Sequence, residues 1–146
     1  MSPKQRSLDE LLAEAAGLIE RLTPAEAAAA ASAGALVVDI RSDLPRERTG
    51  VIPGSIHVPR TVLEWRFEPG GDWRSPSAGR LDEPLVVICE HGFSSVFAAA
   101  ALVRLGYAHV GDVVGGFEAW QRAGLPVVPA PPPHAADELP GMGGPA

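Results

Sequence analysis

The chain has 146 residues, a formal net charge of −6 and a single cysteine. A chain of this length suits one domain with its own core, and one cysteine excludes both an intrachain disulfide and a four-cysteine zinc site. The acidic balance argues against nucleic acid or an anionic membrane surface as the main partner, because both require clustered positive charge. We therefore expect a cytoplasmic protein that acts on a small molecule or on another protein.

The first 21 residues predict an amphipathic helix. Leucine and alanine recur at spacings of three and four from Leu8 to Leu22, and Ser7 with Glu10 has the spacing of a capping box. The carboxylates of this segment are incompatible with a signal peptide, and the sequence holds no apolar run long enough to span a membrane. Two uses of the helix remain open: packing on its own domain, which the sequence favours, and a dimer seam, for which two heptads are short.

Strand and helix patterns alternate along the segment 22–128. Thr23 and Pro24 predict the start of an alanine-rich helix that stops at Gly34. The later elements are apolar strands at 36–40, 85–89 and 109–114 and helices at 96–105 and 118–123. Because apolar strands separated by helices form parallel sheets, we expect an α/β domain.

Two further segments lack a periodic pattern. Residues 68–83 are rich in Gly, Pro, Ser and Asp, which predicts a loop near one rim of the sheet. The Pro- and Gly-rich end at 129–146 is expected to be disordered, because it cannot bury enough apolar surface to offset the entropy of ordering it.

Cys89 lies where a buried strand ends, and a short loop with one glycine leads from it to two serines and a helix. A tight turn of this kind directs successive backbone N–H groups inward and makes a site for anions, to which the helix N-terminus adds positive charge. A thiolate at that position is stabilised, so the pKa of the cysteine falls and the sulfur becomes a nucleophile at neutral pH. The pattern favours this interpretation over a small, buried apolar residue.

Four separated stretches resemble, in the same order, the motifs of single-domain rhodaneses. They are VVDIR at 37–41, GVIPGSIHVP at 50–59, CEHGFSS at 89–95 and GGFEAWQRAGLPV at 115–127. The resemblance implies a rhodanese-like, three-layer α/β domain over 22–128, with a central, mostly parallel sheet flanked by helices. It also implies a sulfurtransferase in which Cys89 takes sulfane sulfur from thiosulfate or a persulfide donor. The resulting persulfide would pass its sulfur to a thiol or to cyanide, with no metal or organic cofactor.

The same resemblance assigns a substrate-binding loop to the residues that follow the nucleophile, which are Glu90, His91, Gly92, Phe93, Ser94 and Ser95. Ser94 departs from the family, because many rhodaneses carry arginine there. An anionic donor is therefore expected to depend on backbone amides and the helix end, while Glu90 adds a negative charge beside it. The amide of His91 is expected to line the site, whereas its imidazole is disfavoured as a base because an ionised thiolate needs none.

Some alternatives remain beside this interpretation. Asp39 and Arg41 end the first apolar strand, where a structural ion pair is favoured over contact with the rim of the active site. Phosphatases related to rhodaneses need an arginine where this chain has Ser95, so phosphatase chemistry is disfavoured. The alternative to an enzyme is a non-catalytic interaction or regulatory module. Trp65 and Trp73 flank the Gly- and Pro-rich loop and are candidates for the border of an acceptor site.

Overall fold

A five-stranded sheet lies at the centre of residues 4–132, the part of the chain that the computed structural model describes. The strands are β1 (Glu20–Leu22), β2 (Leu36–Asp39), β3 (Ile56–His57), β4 (Leu85–Ile88) and β5 (Val110–Val113). Their order across the sheet is β1-β5-β4-β2-β3, and every neighbouring pair is parallel. The central strand β4 is therefore the one that leads into Cys89.

Helices cover both faces of this sheet. They are α1 (Leu8–Ala16), α2 (Pro24–Ser32), α3 (Asp43–Thr49), α4 (Leu63–Phe67), α5 (Ser94–Arg104) and α6 (Gly116–Arg122). Helices α4 and α5 contribute to the core on one face, and α2 and α6 contribute to the core on the other. The layered α/β fold predicted from the sequence is confirmed.

The central strands are apolar throughout because both of their faces are covered. Leu85 and Val87 of β4 pack in the core cluster with α4 and α5, whereas Val86 and Ile88 pack in the cluster with α2 and α6. Side chains alternate between the two faces of a strand, so a strand buried on both faces needs a continuous apolar run. This is the pattern from which the strand at 85–89 was predicted.

The N-terminal helix is shorter than its leucine pattern predicts. Helix α1 begins after the capping box of Ser7 and Glu10, as expected, but it ends at Ala16 and is capped by Gly17. The following segment turns and forms the edge strand β1, which pairs with β5. Glycine is less favourable inside a helix than at its end, and β5 provides hydrogen-bond partners for the backbone of residues 20–22. The prediction that the helix continues along the apolar pattern to residue 21 was therefore wrong.

Helix α1 packs against its own domain, which was the favoured interpretation. Its buried Ala15 lies in a small apolar cluster with Val96 and Ala100 of α5. Leu8 and Leu11, nearer the start of the helix, remain exposed. The dimer seam stays a prediction, and so do the domain boundaries at 21 and 128.

Short elements were missed, and they lie between the predicted ones. Helix α3 has seven residues with a proline and four charged side chains, α4 has five residues, and β3 has two. Lengths this small carry no periodic signal. No helix or strand forms in 68–83, as predicted, while the predicted disorder of the tail falls mainly on 133–146, outside the described residues. Among the helices of residues 4–132, none has the length and apolar character needed to cross a membrane.

Candidate active site

Cys89 stands at the carboxyl end of the central strand, between β4 and α5. Ligands bind at this edge of open parallel sheets, because the loops that leave the strands meet there. The residue is only 5% exposed, and its Sγ accepts a hydrogen bond from the backbone N–H of Gly92 at 3.1 Å. The chain thus folds back over the sulfur within three residues, which is the tight turn predicted from the sequence.

The environment of Cys89 favours its ionised form. Burial acts most strongly on the pKa and raises it, but the hydroxyls of Ser95 and Ser94 and the amides of Ser95 and Gly92 together bring the pKa below its usual value. Hydrogen bonds to a thiolate stabilise the charged form more than the neutral one. A buried sulfur whose pKa is nevertheless lowered is the arrangement expected of a nucleophile.

The turn around the sulfur is held from behind by the double glycine that begins α6. The carbonyl of Cys89 accepts a hydrogen bond from the N–H of Phe117 at 2.8 Å, and the carbonyl of Glu90 accepts one from Glu118. Gly116 has a φ of +65°, and a Cβ at this position would lie 2.5 Å from the carbonyl oxygen of Cys89. Only glycine permits this approach, so the turn and the start of α6 form one packed unit.

Asp39 and Arg41 form the buried ion pair that the sequence favoured. The guanidinium of Arg41 donates to both carboxylate oxygens of Asp39, at 3.0 and 2.8 Å, and also to the carbonyl of Gly50. It lies over the ring of Phe117, 3.8 Å from the centroid. Its Nη1 reaches a carboxylate oxygen of Glu90 at 3.3 Å. The pair is buried, and through Glu90 it also contacts the loop that holds the sulfur.

The contact with Arg41 changes the electrostatic role expected of Glu90. From the sequence alone, Glu90 is expected to add a negative charge beside an anionic donor. In the structure this carboxylate lies 3.3 Å from Nη1 of the buried Arg41, and a nearby opposite charge reduces its field at the site. Glu90 opposes an anion less than its charge alone suggests.

The other loop side chains divide into exposed and buried. His91 is exposed, and its Nδ1 lies 2.7 Å from a carboxylate oxygen of Glu118, so its ring is directed to α6. Phe93 is 70% exposed at the start of α5, and Ser94 is exposed beside it. Ser95 is fully buried, and its hydroxyl donates to Asp112 at 2.8 Å.

Two charged residues at the site were missed by the sequence analysis. Arg21 of β1 donates from Nη2 to the carbonyl of Gly92 at 2.8 Å, and from Nε and Nη2 to the two oxygens of Asp112 at 3.0 and 3.1 Å. Asp112 lies on β5 and is fully buried. A carboxylate inside an apolar strand was a usable signal for Asp112, since a buried charge needs a partner. Arg21 carried no such signal, because it fell within the predicted helix.

Trp65 lies away from the sulfur. It lines a surface pocket of about 280 Å³ together with Glu64, Glu68 and Leu105. Leu105 follows the last residue of α5, whereas Cys89 precedes the first, and a helix of 11 residues spans about 16 Å. The structure therefore gives no support to Trp65 as the border of an acceptor site at Cys89.

The arrangement suits nucleophilic attack by sulfur on an anionic molecule. It combines a buried, stabilised thiolate with backbone amides and hydroxyls that are able to hold negatively charged atoms at the start of α5. Among residues 4–132, no group of three or more His, Cys, Asp or Glu side chains lies close enough together to hold a metal ion.

Comparisons with known proteins agree with this chemistry. The chain is 41% identical over 103 residues to the thiosulfate sulfurtransferase GlpE of Stutzerimonas stutzeri, a match that covers 70% of this chain and 85% of that protein. A solved structure from Rhodopseudomonas palustris, described as a protein of unknown function and possible tyrosine phosphatase, has a TM-score of 0.78 and 34% identity. It covers 88% of this chain and 98% of that one.

A second solved structure and a family model identify the fold family. A rhodanese-related protein from Thermoplasma volcanium has a TM-score of 0.60 and 29% identity, covering 75% of this chain and 97% of that one. The model of the rhodanese-like domain matches residues 23–123, which is more than two thirds of the chain and includes the turn around Cys89. The chain therefore belongs to the rhodanese-like domain family.

Proposed function

We propose that this protein is a thiosulfate sulfurtransferase that carries sulfur as a persulfide on Cys89. The observation that carries the proposal is the sulfur itself, buried at the end of β4, hydrogen-bonded to the amide of Gly92, and stabilised as a thiolate by the serines that begin α5. The 41% identical relative named for this activity supports the choice of reaction.

The first half-reaction loads the enzyme. The thiolate of Cys89 attacks the outer sulfur of thiosulfate, a new S–S bond forms, and the bond between the two sulfurs of thiosulfate breaks. Sulfite leaves with the electron pair of that bond, and the enzyme keeps a persulfide anion. The amides that stabilise the thiolate are placed to stabilise the persulfide and the sulfonate oxygens as well.

The second half-reaction unloads it. Cyanide or a thiolate attacks the outer sulfur of the persulfide and forms thiocyanate or a new persulfide, and the electron pair of the broken S–S bond returns to Cys89. The sequence contains no second cysteine, so the acceptor must come from outside the chain. Two separate displacements predict ping-pong kinetics.

The finer choices within this proposal concern the donor and the compartment. Ser94 brings no charge where many family members carry arginine, so a persulfide donor competes with thiosulfate. A thiolate that must stay reduced between turnovers suits a thiol-reducing compartment, and we therefore place the reaction in the cytoplasm.

Phosphatase chemistry is the nearest alternative, because a similar structure is described as a possible phosphatase. Such a reaction requires an arginine at the start of the helix to hold a tetrahedral oxyanion with two hydrogen bonds. This chain has Ser95 there, and Arg104 lies at the opposite end of α5. The loop can accept an anion through its amides but lacks the side chain that phosphate transfer needs.

Mass spectrometry tests the proposal directly. Protein incubated with thiosulfate should gain the mass of one sulfur atom, lose it again on addition of cyanide, and show neither change as Cys89→Ser. A wild-type mass that stays unchanged with thiosulfate and with several persulfide donors would reject the enzyme. Alkylation of Cys89 near pH 6 tests the alternative of a non-catalytic module. The module predicts slow alkylation, whereas a stabilised thiolate still reacts at that pH.

A further inference from the structure

Arg21 connects the edge strand of the sheet to the turn around the sulfur. Its guanidinium donates to the carbonyl oxygen of Gly92 at 2.8 Å, while the N–H of the same residue donates to Sγ of Cys89 at 3.1 Å. Arg21 therefore acts on the residue that itself holds the sulfur. The side chain is 35% exposed, so it lies at the border between the site and solvent.

The contact controls the orientation of a peptide group in the turn. Every described peptide bond is trans, and a trans peptide directs its C=O and the following N–H to opposite sides. Holding the carbonyl of Gly92 therefore also sets the direction of the N–H of Phe93. Gly92 has a φ of +84°, a conformation that glycine adopts readily. Because glycine also has more backbone freedom than other residues, the contact with Arg21 restricts the conformations open to the turn.

A second group reaches the sulfur through the same guanidinium. Arg21 makes a bidentate ion pair with the buried Asp112, which accepts the hydroxyl proton of Ser95 at 2.8 Å. A hydroxyl has one proton to donate, so Asp112 and the thiolate of Cys89 compete for it. Arg21 neutralises the charge of Asp112 and thereby makes Asp112 a weaker acceptor for the Ser95 hydroxyl.

The charge of Arg21 also reaches the sulfur. Hydrogen bonding to Asp112 is the main cause of a raised pKa at Arg21, and the negative charge of Cys89 adds to it. The other ionisable groups at the turn already have partners: Glu90 is paired with Arg41, and His91 contacts Glu118.

We propose that Arg21 is a positioning residue for sulfur transfer: it fixes the Gly92–Phe93 peptide of the turn and, by neutralising Asp112, makes the Ser95 hydroxyl available to a negatively charged sulfur. The proposal rests on the sulfurtransferase function proposed above. It assigns a role at the site to Arg21 of β1, a residue that lies just outside the predicted 22–128 domain.

The test compares three variants with a matched control. Arg21→Met removes the contact and the charge, Asp112→Asn keeps the contact to Gly92, and the double variant restores the net charge without the contact. The control is Arg60→Met. The side chain of Arg60 is about as exposed as that of Arg21, and among the described residues its ion-pair partner is Glu64. Thermal unfolding verifies that each variant is folded.

Two readouts are measured for each variant: the pH dependence of Cys89 alkylation, and kcat and KM for thiosulfate. In Arg21→Met and in the double variant, we expect the alkylation profile to move to higher pH and kcat/KM to fall by about tenfold or more, since a preorganised donor is lost. Asp112→Asn should move the profile to lower pH, and Arg60→Met should leave both readouts unchanged.

The outcomes separate this proposal from the proposed function. A folded Arg21→Met protein whose alkylation profile and kcat/KM match those of the wild type would overturn the role of Arg21. If the double variant behaves as the wild type, the contact to Gly92 has no role. If the wild type forms no persulfide, the proposed function fails, and the alkylation profiles alone then decide whether Arg21 positions the turn.

Discussion

Substitution of Gly116 by alanine tests whether the turn around Cys89 and the start of α6 are one packed unit. A Cβ at Gly116 would lie 2.5 Å from the carbonyl oxygen of Cys89 and 2.7 Å from the carbonyl carbon and oxygen of Glu90. All three atoms belong to backbone that is already hydrogen-bonded to α6. The clash cannot be relieved by rotating a side chain, so the turn itself must move.

The magnitude has two parts, and a second glycine separates them. Alanine at a φ of +65° costs about 1–2 kcal/mol in backbone strain, and forcing a methyl group into a packed site costs roughly 1–3 kcal/mol more. Gly124 has a φ of +72° and nothing within 4 Å of its Cβ position. Gly124→Ala therefore carries the strain without the clash, and the entropy that alanine removes from the unfolded chain is common to both variants.

The assay is urea unfolding of both variants together with persulfide formation from thiosulfate. We expect Gly116→Ala to lose roughly 2–5 kcal/mol and Gly124→Ala about 1–2 kcal/mol. Only the first variant should form the persulfide slowly while still folded. Equal losses of stability in the two variants, with wild-type persulfide formation in both, would refute the idea that contact between the turn and α6 shapes the site.

Three further predictions follow from the surroundings of Cys89. The pKa of the folded thiol is lowered, so the thiolate stabilises the fold above the unfolded pKa, and this contribution is lost as pH falls through the folded value. The unfolding free energy of the wild type, relative to that of Cys89→Ser, should therefore increase as pH rises across that range. A difference that stays constant with pH would contradict the lowered pKa. Ser94→Arg should lower KM for thiosulfate by adding charge at an exposed loop position, and an unchanged KM in a folded protein would exclude this placement. Arg41→Met should cost about 3 kcal/mol in urea unfolding, because it leaves Asp39 with Arg46 as its remaining cation, and a loss below about 1 kcal/mol would show that the pair contributes little.

The parts of the fold that the sequence predicted are those with a strong local pattern. The apolar run at 85–89 identified the central strand, and the capping box of Ser7 and Glu10 and the Thr23–Pro24 pair located the starts of two helices. Cys89 was recognised because a strand, a glycine turn and a helix start follow one another within a few residues. Each of these signals lies in neighbouring residues, so a single sequence is sufficient to read it.

The parts that were missed depend on contacts between distant residues. Strand β1 has three residues and exists because β5 pairs with it, so its own sequence continued the pattern of the preceding helix. Arg21 and Asp112 are 91 positions apart and meet only after the sheet has assembled. The partner of Glu90 was missed for the same reason, since Arg41 reaches it from the segment that follows β2.

The strand order has a consequence for when the turn around Cys89 gains its distant contacts during synthesis. The turn at Cys89 is held by β1 near the start of the chain and by β5 and α6 near the end of the described residues. A ribosome that has released the chain only as far as α5 exposes the cysteine but not Asp112, Phe117 or the double glycine. The turn around the sulfur therefore lacks the contacts from Arg21 to Gly92 and from α6 to Cys89 and Glu90 until the sheet is complete.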